Sequence, residues 1–138
     1  MHETQESVGS WMGPIFSDLL GPKSRSIAVV EEACELALAS GVTAEEILAA
    51  VKVPIQKNAE RGNNGDPEEE LADVYISMYA YAADSRMSAQ SALDRKMSIN
   101  RLRPTEYYLR KNKEKFRLGM PGPSAEPTSA PVVGKDAV

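Results

Sequence analysis

Five carboxylates in two short stretches are the residues best placed to do chemistry in this chain. Glu31, Glu32 and Glu35 fall in the run 27–39, and Glu70 and Asp73 in the run that begins at Asp66 and continues to Tyr81. At about 100° per residue, Glu31, Glu32 and Glu35 share an arc of roughly 100° on a helix whose remaining perimeter is mostly Ile27, Val29, Val30, Leu36 and Leu38. Glu70, Asp73 and Ser77 share about 60° of a second helix, otherwise made of Leu71, Val74, Tyr75, Ile76, Met78 and Tyr79. A helix apolar nearly all round is usually buried, so both acidic stripes are expected to lie between neighbouring helices. The ordinary alternative is a solvated acidic face, but such faces usually mix in Lys or Arg one turn away. None occurs between Arg25 and Lys52, or between Arg61 and Arg86.

Two carboxylates ~4 Å apart repel by about 4 kcal/mol at an effective dielectric of ~20. Buried stripes of this kind therefore call for protonation or a cation, and all-oxygen donors select a hard divalent ion, Mg²⁺ with Mn²⁺ as a substitute. A third group, Lys96, Asn100 and Arg103, lies within about 60° on a later helix beside Leu93. Taken alone it is an ordinary wet face. Beside carboxylate-held Mg²⁺, which is typically completed by substrate phosphates, it would neutralise further phosphate oxygens. The combination points to phosphoanhydride or phosphoester chemistry with a metal-activated water. Other chemistries lack their residues. The one histidine is His2, which removes Ser-His-Asp and Cys-His catalysis and histidine zinc sites. The turn at Gly62-Asn63-Asn64-Gly65 is not followed by the Gly-Lys-Ser/Thr of a phosphate-binding loop, and no dinucleotide fingerprint is present.

The elements that must carry these residues are helices. Of the 138 residues, 42% are hydrophobic and only 6% aromatic, and the net charge is −4. With abundant Ala, Leu, Glu and Met, this predicts an all-α chain, a bundle of about four to five helices. Residues 1–9 are expected to be a flexible N-terminus, 10–118 the helical domain and 119–138 a disordered tail. A first short helix over 10–20 would hold Pro14 in its first turn and Trp11 as a core or interface anchor. The second runs over 24–40. The third opens on the capping box Thr43–Glu46 and is bent or interrupted at Pro54, with 57–65 as a polar loop. The fourth starts at Asp66-Pro67 and ends near Ser85. The fifth spans 89–102, capped by Ser88 and ended by Pro104. Residues 105–118 are a short docking helix or a basic arm. Lone Cys34 reads as a small core residue. No apolar run is long enough for a membrane, and the N-terminus does not resemble a signal peptide, so a cytoplasmic protein is expected.

Three segments together carry a family resemblance. Glu31-Glu32-Ala33-Cys34-Glu35-Leu36, Glu69-Glu70-Leu71-Ala72-Asp73-Val74 and Lys96-Met97-Ser98-Ile99-Asn100-Arg101-Leu102-Arg103-Pro104 resemble, in order, the signatures of the MazG-like nucleoside triphosphate pyrophosphohydrolases of the all-α NTP pyrophosphatase superfamily. The resemblance covers roughly residues 24–104. It implies that Glu32, Glu35, Glu70 and Asp73 hold Mg²⁺, and that Glu31 belongs to the catalytic acidic set. It assigns Lys96, Asn100 and Arg103 to substrate phosphate or sugar. The implied reaction converts NTP and water to NMP and pyrophosphate in a homodimer or homotetramer. The size resembles small phage members, including the MazZ type, which would add a dGTP or GTP preference. The Glu35–Glu70 interval is longer than in compact members. The alternative is a non-catalytic helical module whose acidic stripes face a partner or drive oligomerisation. A further alternative is nucleic-acid binding through the basic run Arg110–Arg117, but the net charge of −4 argues against nucleic acid as the main partner.

Overall fold

The computed structural model describes residues 2–16 and 21–121. Six helices follow one another: α1 (Gln5–Ile15), α2 (Pro22–Ala39), α3 (Ala44–Arg61), α4 (Pro67–Asp84), α5 (Ala89–Leu102) and α6 (Thr105–Arg117), with no strand among the described residues. The chain is all-α, with one helix more than the four to five expected. Residues 105–117, left open as helix or arm, are helical.

Boundaries follow local chemistry. α1 starts five residues before the expected Ser10, because Thr4 and Ser7 satisfy each other. Ser7 N–H donates to Thr4 Oγ1 at 3.1 Å, and Thr4 N–H donates to Ser7 Oγ at 2.8 Å. Pro14 consequently falls in the last turn of α1 rather than the first. Residues 17–20, the end of the expected first helix, and 122–138, most of the expected tail, lie outside the described residues. α2 closes with Gly41 at φ 87°, and Val42 N–H reaches Ala37 O at 3.0 Å. A left-handed residue with a hydrogen bond back across the last turn is the common way to end a helix.

α3 runs unbroken past Pro54 to Arg61, so residues 57–61 are helix and not loop. Proline removes one backbone donor, but the residues after it are good helix formers, and Gln56 donates to Glu60 at 3.1 Å one turn on. Arg61 also hydrogen-bonds Asn58. Asp66 sits at the N-cap of α4 before Pro67, without a side-chain capping bond. Ser88 Oγ accepts from Ser91 N–H at 3.1 Å and opens α5.

Two compact units divide the chain, one made of residues 1–29 and 93–138, the other of 30–92. In the first, Trp11, Phe16 and Tyr108 pack edge-on with ring centres 5.5 to 6.1 Å apart, and Tyr107 lies 5.1 Å from Tyr108. This meets the expectation of Trp11 as an anchor. Met97 and Tyr108 are buried there. The Tyr108 hydroxyl donates to the Asn100 carbonyl at 2.8 Å. The N-terminal segment is tied to α5 within the same unit: Glu3 N–H donates to Asp94 at 2.7 Å, and Arg101 donates to both Glu3 oxygens at 3.0 and 2.9 Å.

The second unit holds most of α2, all of α3 and α4, and the start of α5. Its one buried side chain among the described residues is Ala82. Leu48 is 70% exposed, Ile55 65% and Ile76 64%. The expectation that the acidic helices are sunk among neighbours is not met within the single chain. Each helix hides only the stripe that meets its neighbour, so the remaining apolar side chains stay exposed.

Candidate functional site

All five candidate carboxylates belong to the second unit. Glu31, Glu32 and Glu35 lie on α2, Glu31 half-buried and the other two exposed; Glu70 and Asp73 lie exposed on α4. A side-chain bond joins these two helices near their C-terminal ends. Ser40, just past α2, is hydrogen-bonded to the Tyr81 hydroxyl at 2.9 Å. The Ser40 hydroxyl also donates to Leu36 O at 2.8 Å, so its single proton is committed and Tyr81 is the donor. Counted back from this junction, Glu32 on α2 and Asp73 on α4 are equally far, at about 12 Å along a helix rising 1.5 Å per residue.

No three of the His, Cys, Asp and Glu side chains converge on a possible metal position among the described residues. Glu70 reaches back toward the N-terminal end of its own helix. Its carboxylate rests against Gly65, where an added Cβ would come within 2.7 Å of Oε1. Gly65 also has φ 84°, and its N–H donates to the Asn63 side chain at 3.2 Å, so the turn before α4 has the glycine its backbone needs. The donor set itself is of the right kind for a hard divalent ion. Glu32, Glu35, Glu70 and Asp73 are all-oxygen donors with no salt bridge to a described cation. Their exposed side chains are free to change rotamer. This part of the chain is strongly acidic, with 12 acidic against 4 basic side chains in residues 30–92.

The basic group belongs to the first unit. Lys96 is exposed and Asn100 half-buried on α5, while Arg103 lies one residue beyond the end of that helix. Its backbone N–H still donates to Asn100 O at 3.2 Å, but its guanidinium lies over the Tyr107 ring, 4.5 Å from the centre. The three residues are therefore not one uninterrupted helical stripe. Tyr107 is the residue whose part the sequence reading did not see. The available signal was its spacing, four residues after Arg103 and three and four before Arg110 and Lys111. Cys34 is a half-buried free thiol.

The titrations clearly displaced from their ordinary values lie outside both groups. The hydrogen bonds from Arg101 and then Ser7 hold Glu3 below the usual carboxylate range, and the same ion pair raises Arg101. The Thr43 backbone and hydroxyl lower Glu46 within its capping box. The Arg117 guanidinium lowers Glu114. These are structural ties. No described helix is long and apolar enough to cross a membrane. In comparisons with protein-family models, curated proteins and solved structures, the chain matches none.

Proposed function

We propose that this chain is a Mg²⁺-dependent nucleoside triphosphate pyrophosphohydrolase of the MazG-like kind, acting as a homo-oligomer in the cytoplasm. The observation that carries the reading is the ordered trio of motifs on three helices. Glu31-Glu32-x-x-Glu35 occupies α2, Glu69-Glu70-x-x-Asp73 occupies α4, and Lys96 and Asn100 occupy α5 with Arg103 just after it. In this reading Glu32, Glu35, Glu70 and Asp73 hold Mg²⁺ after rotamer changes, with Glu31 in the catalytic acidic set. Bound there, the ion would supply a polarised phosphoanhydride and a water acidic enough to attack phosphorus. Lys96 and Arg103 would neutralise phosphate oxygens, and Asn100 would hydrogen-bond phosphate or sugar. The products are a nucleoside monophosphate and pyrophosphate, with guanine nucleotides as the preferred substrates.

The deciding experiment is a panel of the four ribo- and four deoxyribonucleoside triphosphates with Mg²⁺ or Mn²⁺, products separated at an early time point. Monophosphate appearing together with pyrophosphate supports the reading. A diphosphate accumulating with orthophosphate, or no turnover of any member, rejects it. A second reading, a non-catalytic helical module, is favoured by the exposed apolar side chains of α2, α3 and α4. It predicts self-association or partner capture with no hydrolysis under any metal.

A further inference from the structure

Around the Tyr107 ring three cationic groups gather with no carboxylate partner among the described residues. The Arg103 guanidinium is 4.5 Å from the ring centre, the Lys111 ammonium 5.6 Å and the Arg110 guanidinium 5.9 Å. All three lie within a sphere of 5.9 Å radius about one aromatic centre. The spacing explains the gathering: residues three and four apart on a helix share a face, and Arg103 reaches the same ring from the turn before α6. Each cation is attracted by the ring's negative face, which brings like charges closer than solvent alone would allow.

Some other basic residues of the same unit are held in ion pairs. Arg101 is paired with Glu3, and Arg117 with Glu114. Glu106 stands four residues before Arg110, the better orientation for a helical ion pair, yet no salt bridge joins them. Among the described residues, Arg103, Arg110 and Lys111 have no carboxylate partner at all. Arg110 and Lys111 are exposed, and Arg103 is half-buried against the ring. A guanidinium placed over a ring leaves N–H groups available for contact with phosphate oxygens.

We propose that Arg103, Arg110 and Lys111, gathered on Tyr107, form a binding site for a chain of phosphates. This chemistry is shared by the polyphosphate tail of a free nucleotide and the backbone of a single-stranded nucleic acid. The site extends the phosphate contacts assigned to Arg103 onto α6, and rests on the nucleotide reading only for that one residue. Binding is measured on the full chain without divalent metal, so it is independent of turnover.

The probes are inorganic tripolyphosphate and a single-stranded oligothymidylate of about 12 nucleotides, within the usual site size for such contacts. Each is titrated by calorimetry at low salt, where surface charge is least screened. Arg110→Gln and Lys111→Gln should each weaken binding by about tenfold, the loss of one charge-assisted contact. Lys113→Gln is the matched control. It removes the same charge from an exposed α6 position, about 240° around the helix from Tyr107, and should stay within about threefold. Tyr107→Phe should bind as the parent does, whereas Tyr107→Leu should weaken binding by releasing Arg103, with helicity checked by circular dichroism. Saturable tripolyphosphate binding with this variant pattern, and no tighter oligonucleotide, assigns the site to free polyphosphates. The same pattern with a tighter oligonucleotide assigns it to nucleic-acid backbone. If neither probe saturates, or Lys113→Gln costs as much as Arg110→Gln, the charge is diffuse and the proposal is overturned. Triphosphate hydrolysis without this binding pattern would sink the site and leave the enzyme reading. The binding pattern without hydrolysis would do the reverse.

Discussion

The two units of the chain handle apolar side chains in opposite ways. Residues 1–29 and 93–138 contain Met97 and Tyr108, both buried, and an aromatic group whose rings meet edge-on. Residues 30–92 contain long helices with Leu48, Val53, Ile55, Leu71, Ile76 and Tyr79 all more than half exposed. One unit has a small core of its own. The other has apolar faces and a large acidic excess but almost no core. A segment of that kind gains little from folding alone, because the hydrophobic term scales with the area removed from water. Its exposed apolar side chains are numerous enough to form a contact surface. Such faces are what the homo-oligomer proposed above would cover.

Experiments can break or sharpen this contrast. The largest effect is expected at the acidic helices: Glu35→Gln and Asp73→Asn should bring turnover to background. Their metal-free melting temperatures should be unchanged or raised, since neutralising one of many carboxylates relieves repulsion. Wild-type-like turnover by both variants would detach the acidic helices from catalysis. Next comes Tyr108→Ala, which should cost about 3–5 kcal/mol in denaturant unfolding. Ile76→Ala in a monomer should stay within about 0.5 kcal/mol. If Ile76→Ala instead costs as much as a core truncation, the exposed face is covered in solution. Sedimentation addresses this directly: Ile55→Asp and Ile76→Asp should weaken self-association by at least about a hundredfold, near 2.7 kcal/mol. A wild-type chain that stays monomeric at every concentration tested would remove assembly from the account.

Smaller losses are expected in the other unit. Lys96→Ala and Arg103→Ala should each lower kcat/KM by roughly ten- to a hundredfold, about 1.5–3 kcal/mol for a lost charged contact. Mn²⁺ affinity without nucleotide should hardly change. The smallest effect concerns acid. Glu3 and Glu46 are held below their ordinary range by hydrogen bonds. Their contribution is therefore complete above the unfolded carboxylate value, about 4.3, and is lost as pH falls through the depressed folded values. Melting at pH 5 and pH 3 should show a loss that Glu3→Gln reduces, and an unchanged difference would mean the Glu3–Arg101 tie contributes nothing.

The helices were legible wherever a local rule acted alone. Thr43 with Glu46, Asp66 with Pro67 and Ser88 each mark an observed start, and the pattern before Gly41 marks an observed end. The start of α1 was not legible, because its reciprocal cap uses Ser7 where Glu or Gln is usual. Pro54 misled because the cost of one lost donor is set against the propensity of all its neighbours. Burial of the acidic stripes was misjudged for a different reason. Periodicity reports which faces are apolar and not whether one chain has enough partners to cover them. The cluster on Tyr107 depends on where α5 stops, one residue before Arg103, and a boundary of that kind is a matter of one or two residues.

The bond between Ser40 and Tyr81 ties α2 to α4 near their C-terminal ends. Glu32 and Asp73 lie part-way along the two helices, each about 12 Å from that bond. At that distance each degree of splay about the bond would move either residue by about 0.2 Å, the tolerance within which a metal–ligand distance must fall. If the two carboxylates hold the ion proposed above, a few degrees of opening or closing would separate a competent from an incompetent set of ligands. Whatever presses on the outer flanks of the two helices, another protomer included, would then set the spacing of the carboxylates like a hand on forceps.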